Sequence, residues 1–483
     1  MARLMQGPLD EISGLLRHPS NEVVCNSTTT TSEMWNTTVT SEMTKSVELS
    51  VDPVSCLHDE PICIRVSSLV PSEDVTLQAS MKDTRGVHFL SYAHYRANES
   101  GQVDLATMES LGGHYKGIFP MGLIGSLLPA PEEYRYTRFF KRDVQNPSIV
   151  KVTVHRGHLN GRELCSPDAD KPLATVTHLR HYMAPGVQRI PVRSGKVRGC
   201  LFLPPGDGPF PGVVDMFGTA GGLLEYRSAQ LASQGFASLA LAFFNYEDLP
   251  KSVREYNIAY FEEAVEFLLK HEKVLHHGVG VIGTSKGGDL ALSMAAFIPS
   301  VRVCVVINGY NVPIGAGLRV KDHLYPPLPF SYSGVRISDD GAVDFMCGAH
   351  DPRHHPKSIL PIEQSQAAFL FLVGSDDRNV KSEFYAQLAR QRLSEHKYSR
   401  CCEVSSYPGA GHLLEPPYSP HCFASFQHTF MMPVIWGGTV KHHIIGQEKA
   451  WSKMREFLWF HLVHGNVVGE GASKCNQIRK SNL

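Results

Sequence analysis

The sequence predicts a two-part chain, an all-β sandwich over residues 46–186 followed by an α/β unit over 187–466 with a parallel sheet covered by helices on both faces. Before Pro191, short runs alternate apolar and polar residues with turn residues between them, the pattern of antiparallel strands with one face buried. After it the rhythm becomes strand, glycine-rich turn, helix, which builds a parallel sheet. Length agrees: 483 residues, 42% hydrophobic and 19% charged, supply more than one core and exclude wholesale disorder.

Residues 1–45 carry a Thr/Ser-rich stretch around Thr28 to Thr44 with few aliphatic side chains, so little burial offsets their ordering entropy and a disordered leader is expected. Asp10, Glu11, Glu22, Glu33 and Glu42 count against a mitochondrial presequence, which is Arg-rich and poor in acids. In 46–186, Val75, Leu77, Ala79 and Met81 alternate with polar neighbours, as do Val150, Val152 and Val154. Asn98 to Gly101 and Leu111 to Gly113 read as the intervening turns, and the expected result is an immunoglobulin-like sandwich with a structural or substrate-shaping role.

From 187 onward, strands are expected at Val213–Phe217, Phe236–Phe243, Val279–Ile282, Val301–Ile307, Phe369–Val373 and Glu403–Ser406. Helices are expected at Leu223–Ser233, around Phe261, Ala264, Val265, Leu268 and Leu269, at Lys286–Phe297 and at Lys381–Leu393, and a last one presents Trp451, Met454 and Leu458 on one face. The run from Pro313 to Pro361, rich in Pro, Gly and His and without periodicity, predicts an insertion over the C-terminal edge of the sheet, where a lid would sit. Residues 467–483, with Gly469 and Gly471, read as a flexible tail.

Composition narrows the function classes. Lys+Arg 46 against Asp+Glu 47 gives a formal charge of −1, which provides no global field to gather nucleic acid or anionic membrane. The longest uninterrupted apolar run, Ala367–Val373, is far below the roughly 20 residues that cross a bilayer, so no membrane span is expected. Eleven cysteines without a CxxC fit neither a disulfide framework nor a zinc site and point to a reducing compartment. Cys200, Cys304 and Cys347 read as small buried residues. His350-Asp-Pro-Arg-His-His355 and His442-His443 lack metalloprotease spacing and read as solvated loop histidines, so no metal is expected.

The chemistry centres on Gly283-Thr-Ser285-Lys-Gly287, between a predicted strand and a predicted helix. There G-x-S-x-G is a nucleophile elbow: small residues permit the tight turn, and the helix N-terminus points at the serine hydroxyl. That hydroxyl needs a histidine to take its proton and a carboxylate to fix the histidine's tautomer. In an α/β-hydrolase they follow in the order acid, then histidine. Val373-Gly-Ser-Asp-Asp377 ends one predicted strand, and Tyr407-Pro-Gly-Ala-Gly-His412 follows another. Spacing from Gly374 favours Asp377 as the acid, with Asp376 as cap of the next helix. The oxyanion contacts are expected from the backbone N–H of Lys286 and from the glycine-rich loop Phe217-Gly-Thr-Ala-Gly-Gly222, with Thr219 as its donor.

Several segments together carry a resemblance: Val214-Asp-Met-Phe-Gly-Thr219, Gly221-Gly-Leu-Leu-Glu-Tyr-Arg227, Phe244-Asn-Tyr-Glu-Asp-Leu-Pro250, Ile282-Gly-Thr-Ser-Lys-Gly-Gly288, Phe371-Leu-Val-Gly-Ser-Asp-Asp377 and Pro433-Val-Ile-Trp-Gly-Gly438. Over about residues 46–466 the chain resembles the type I acyl-CoA thioesterase and bile acid-CoA:amino acid N-acyltransferase family. The resemblance implies Ser285, Asp377 and His412 as the triad and a fatty acyl-CoA substrate, in which coenzyme A is part of the substrate and no separate cofactor is needed. Serine at the elbow resembles the hydrolase branch, since the conjugating branch uses cysteine there. An N-acyltransferase is the alternative enzyme, and an idle acyl-CoA-binding protein is the alternative class. Ala220 departs from the family, which commonly has glycine at that place in the loop. Finally, Ser481-Asn482-Leu483 matches the S-K-L peroxisomal address except at Asn482, so a peroxisomal import receptor is an expected partner and cytosolic residence the alternative.

Overall fold

The computed structural model describes residues 46–464. The expected leader, the tail and the Ser481–Leu483 tripeptide lie outside the described residues. The two alternating runs of the first part are strands Asp74–Lys82 and Ser148–Arg156, and they pair with each other: Leu77 lies opposite Val154, and Ala79 opposite Val152. Their apolar residues point to one face because side chains alternate along a strand, and Val75, Leu77, Ala79, Val150, Val152 and Val154 are fully buried. A three-stranded sheet that includes Glu48–Asp52 and Cys63–Ser67 packs over that face and completes one apolar core. Leu111 to Gly113 is not the expected turn. Gly112–Gly113 pairs as a short strand with His88–Arg96, and a Cβ on Gly113 would lie 2.4 Å from the Tyr92 carbonyl oxygen, so the glycine permits a close backbone approach.

The second part is an eight-stranded sheet, with strands β1 (Gln188–Ser194), β2 (Val197–Leu203), β3 (Phe210–Met216), β4 (Ala237–Ala242), β5 (Val274–Thr284), β6 (Val301–Ile307), β7 (Ala368–Gly374) and β8 (Cys402–Tyr407). Their spatial order is β1-β2-β4-β3-β5-β6-β7-β8. Five helices follow in the chain: α1 (Tyr226–Ser233), α2 (Ile258–Leu269), α3 (Lys286–Phe297), α4 (Ser382–Glu395) and α5 (Val440–Trp459). Alternate strand residues explain the two covered faces. Phe369, Phe371 and Val373 join the core shared with α2, α3 and α4, whereas Leu370 and Leu372 join the one shared with α1 and α5.

The sheet is parallel from β4 to β8, but β2 runs antiparallel to both β1 and β4, which the sequence reading did not foresee. Pro191 sits within β1, an edge strand, where a missing donor is tolerated. The expected lid region between β6 and β7 is not structureless. Gly317–Val320 pairs with His323–Tyr325 and Glu255–Asn257, and Val343–Asp344 pairs with Met432–Ile435. Cys200 and Cys304 are buried as expected, but Cys347 is half-buried. Cys63 is disulfide-bonded, an exception to the expected absence of such bonds. No helix among the described residues is long and apolar enough to cross a membrane.

The two parts dock through polar contacts and shared apolar residues. Asp59 of the sandwich accepts from Gln234 at 3.0 Å and from the Trp451 indole at 2.8 Å. Arg138 donates to Glu415, which also accepts from the Tyr226 hydroxyl, and Tyr418 and Ile444 complete the sandwich core. The contact surface thus includes the chain just after His412.

Candidate active site

Ser285 lies between β5 and α3 with φ +57° and ψ −120°, a left-handed conformation that a non-glycine residue adopts only when its surroundings enforce it. They do so here. The Ser285 N–H donates to the Ile307 carbonyl at 2.9 Å, and the glycines of the motif leave no room for side chains. A Cβ on Gly283 would sit 1.9 Å from the Gly287 carbonyl oxygen, and one on Gly287 would sit 2.5 Å from that of Phe217. The elbow is therefore pressed against the end of β3. As the first residue of α3, Lys286 has a backbone N–H without an intrahelical acceptor.

The loop after β3 faces the serine. The Cβ position of Gly218 lies 3.1 Å from Ser285 Cβ and 3.4 Å from its hydroxyl, and Thr219 is the next residue of the loop. Thr219 is held from behind, its carbonyl accepting from the Thr429 hydroxyl at 3.0 Å. Left-handed backbone is needed at Gly221 (φ +64°) and Gly222 (φ +74°), whereas Ala220 is exposed and outside that region, so its methyl group is accommodated. Below the loop, the buried Arg227 donates to Asp215, to the Met216 carbonyl and to the Thr284 hydroxyl, tying the end of β3 to the residue before Ser285. Sequence reasoning missed this role of Arg227.

Behind the elbow, the Lys286 ammonium lies 2.8 Å from the Asp289 carboxylate, both buried. Asp289 also accepts from the Ile314 N–H at 2.9 Å, so the pair fastens the insertion to α3. Burial raises the Asp289 carboxyl to about 6 against the opposing pull of Lys286.

The structure brings Asp377 and His412 together. The His412 Nδ1–H donates to Asp377 Oδ2 at 2.8 Å, because a carboxylate only accepts, and Nε2 is left as the basic atom. Both residues are buried. Asp377 is fixed by three further donors, the N–H groups of Asn379 and Val380 and the Ser382 hydroxyl. The His412 ring stacks on Trp436, centroids 5.6 Å apart and planes 16° apart, and the backbone N–H of His412 donates to the Trp436 carbonyl at 2.8 Å.

Asp376 is not the expected helix cap. Its carboxylate accepts from the Gly438 N–H at 3.0 Å and pairs with Arg378 at 2.8 Å, while α4 has no side-chain cap. Turning toward the Gly437-Gly438 bend draws Asp376 away from the helix. Asn308 at the end of β6 was also missed. Its amide donates to the carbonyls of Gly411 and His412, and its oxygen accepts from the Gly374 N–H at 2.7 Å. One side chain thereby joins the acid loop to the histidine loop. Asn-Gly directly after a predicted strand was the available signal. The two histidine clusters diverge: His350 and His442 are exposed, but His443 is buried.

Comparison with known proteins places this geometry in context. The family described as "BAAT / Acyl-CoA thioester hydrolase C terminal" matches residues 256–464, and "Acyl-CoA thioester hydrolase/BAAT N-terminal region" matches residues 59–194. Human acyl-coenzyme A thioesterase 1 is 46% identical over 409 residues, covering 84% of this chain and 94% of its own length. Mouse acyl-coenzyme A thioesterase 3 is 45% identical, covering 84% and 92%. Human acyl-coenzyme A thioesterase 2, mitochondrial, is also 45% identical, covering 84% and 82%.

Proposed function

The chain belongs to the acyl-CoA thioester hydrolase/BAAT family, and from that premise we propose that it hydrolyses fatty acyl-CoA to the free acid and coenzyme A through an acyl-enzyme on Ser285. The observation that carries the mechanism is the buried His412–Asp377 contact in a sheet whose elbow holds Ser285 in a left-handed conformation. Ser285 Oγ attacks the thioester carbonyl while His412 Nε2 takes its proton, and Asp377 holds the ring and stabilises the cation formed. The backbone N–H groups of Lys286 and Thr219 receive the oxyanion. The carbon–sulfur bond breaks, the coenzyme A thiolate takes the proton, and water repeats the sequence to release the acid. Coenzyme A enters as part of the substrate, and these groups supply each proton transfer, so no separate cofactor is called for.

The test is to incubate the purified protein with a series of acyl-CoA esters and score free thiol and acid, with and without taurine. Stoichiometric thiol and acid, unchanged by taurine, is the expected result. Acyl-taurine as the main product would replace the reading with an N-acyltransferase, and no thiol at all would leave a binding protein. Peroxisomal residence is part of the proposal, and imaging an N-terminally tagged chain with and without Ser481–Leu483 tests it, since equal diffuse cytosolic signal from both would overturn it.

A further inference from the structure

We propose that His443 is a positioning residue for His412, a neutral imidazole that staples the peptide groups on either side of the catalytic base. This rests on the reading of His412 as that base. His443 lies in the first turn of α5 and is buried. Its Nδ1 accepts from the Gly411 N–H at 3.0 Å, and its Nε2 lies 2.9 Å from the Leu413 carbonyl oxygen. Gly411 and Leu413 are the two residues that flank His412. A backbone N–H can only donate and a carbonyl can only accept, so both contacts are made by one form of the ring, neutral with its proton on Nε2. An imidazolium would set an N–H against the Gly411 N–H.

The surroundings keep that form. Burial, reinforced by neighbouring His421, holds the His443 imidazole down at about 3. The His421 ring stands 4.9 Å away, its Nε2 lies 3.3 Å from the Gly437 carbonyl oxygen, and burial likewise holds it below its usual range. On the other side the Gly437-Gly438 bend closes on the loop. A Cβ on Gly438 would lie 3.0 Å from His443 Nδ1, and one on Gly411 would lie 2.3 Å from the Gly437 carbonyl oxygen.

The staple acts at the base because of what else holds this loop. Asn308 takes the carbonyls of Gly411 and His412, and Trp436 takes the His412 N–H. His443 holds the Gly411 N–H and shares the Leu413 carbonyl with the Glu415 N–H, and it does so from α5, which is anchored by the buried Trp451, Met454 and Leu458. Without it the loop keeps Asn308 and Trp436 but loses its tie to α5, and the peptide groups flanking His412 can shift. A displacement of about 1 Å in a reacting group costs on the order of 10²-fold in rate.

The experiment compares His443→Ala, His443→Asn and His412→Ala with the full-length wild type. His443→Ala should lower kcat by roughly 10- to 100-fold with KM nearly unchanged, and His443→Asn, whose oxygen can replace Nδ1 as acceptor, should recover part of that loss. Wild-type kcat in a folded His443→Ala protein, beside an inactive His412→Ala protein, would overturn the staple while leaving the base assignment intact. An active His412→Ala protein would instead remove the base assignment. Should the His443 variants not fold, nitrogen-15 histidine spectra of the wild type decide. Protonated Nε2 and bare Nδ1 at His443 across neutral pH support the proposal, and the opposite tautomer or a titration near neutrality overturns it.

Discussion

Asp376 and Asp377 are adjacent, chemically identical and bonded to different partners, so they give the sharpest test at the scale of single residues. Asp377→Asn replaces an acceptor-only carboxylate with a neutral amide that can present its NH2 to Nδ1 and so favour the wrong His412 tautomer, and should lower kcat by on the order of 10³–10⁴. Asp376→Asn keeps an oxygen for the Gly438 N–H and loses only the half-exposed pair with Arg378, so kcat should stay within about tenfold. Steady-state rates of the two variants check this, and the reverse order would move the acid to Asp376. Chain order and the Gly374 spacing brought Asp377 and His412 within reach from sequence. His443 was not legible, because an adjacent His-His pair in a polar context reads as solvated, and only the register of α5 turns one ring outward and the other inward.

For the elements, the elbow depends on how closely β3 and α3 approach. Gly287→Ala puts a methyl group 2.5 Å from the Phe217 carbonyl oxygen and 2.9 Å from that of Met216, so strand end and helix must separate. The expected cost is about 1–3 kcal/mol of stability, with a larger loss of kcat because the loop proposed to receive the oxyanion begins at the same carbonyls. Urea unfolding and thioesterase assays measure both, and an unaffected kcat would show that the loop is not tied to the elbow. Asn308→Ala should act on the histidine loop, since its buried partners lose their bonds at about 1–3 kcal/mol each. The strand and helix sequence of 208–307 was readable because buried parallel strands are continuous apolar runs. The β1–β2 hairpin was not, because Pro191 and Gly199 break that pattern at an edge. The small sheets of the 313–361 insertion were hidden by strands too short to show a period.

For the whole molecule, buried histidines predict the response to acid. Burial holds His178 and His461 at about 4 and His443 at about 3, below their ordinary 6.5. Their folded values are depressed, so below pH 6.5 the unfolded chain binds more protons than the folded one. Stability is fully present above pH 6.5 and falls as pH drops toward 4. Asp289, raised to about 6, opposes this with one proton between its ordinary 3.8 and 6. His58, His114, His155 and His421 are lowered as well, while among the described carboxyls only Glu448 joins Asp289 in being raised, so the urea midpoint should fall from pH 7 to pH 5, and a rising midpoint would contradict this. The docking of the sandwich onto the histidine loop through Arg138 with Glu415, and onto α5 through Asp59 with Trp451, could not be read from sequence, because the partners lie hundreds of positions apart.

Ser285 as the nucleophile is the assignment from which every proposed step follows. The most direct measurement is to quench the protein with acyl-CoA within a single turnover and map the modified peptide by mass spectrometry, beside Ser285→Ala. A transient acyl adduct on Ser285, with turnover lost by on the order of 10⁴ or more in the variant while its circular dichroism is unchanged, is the predicted result. An adduct on another residue, or wild-type hydrolysis by Ser285→Ala, would contradict it.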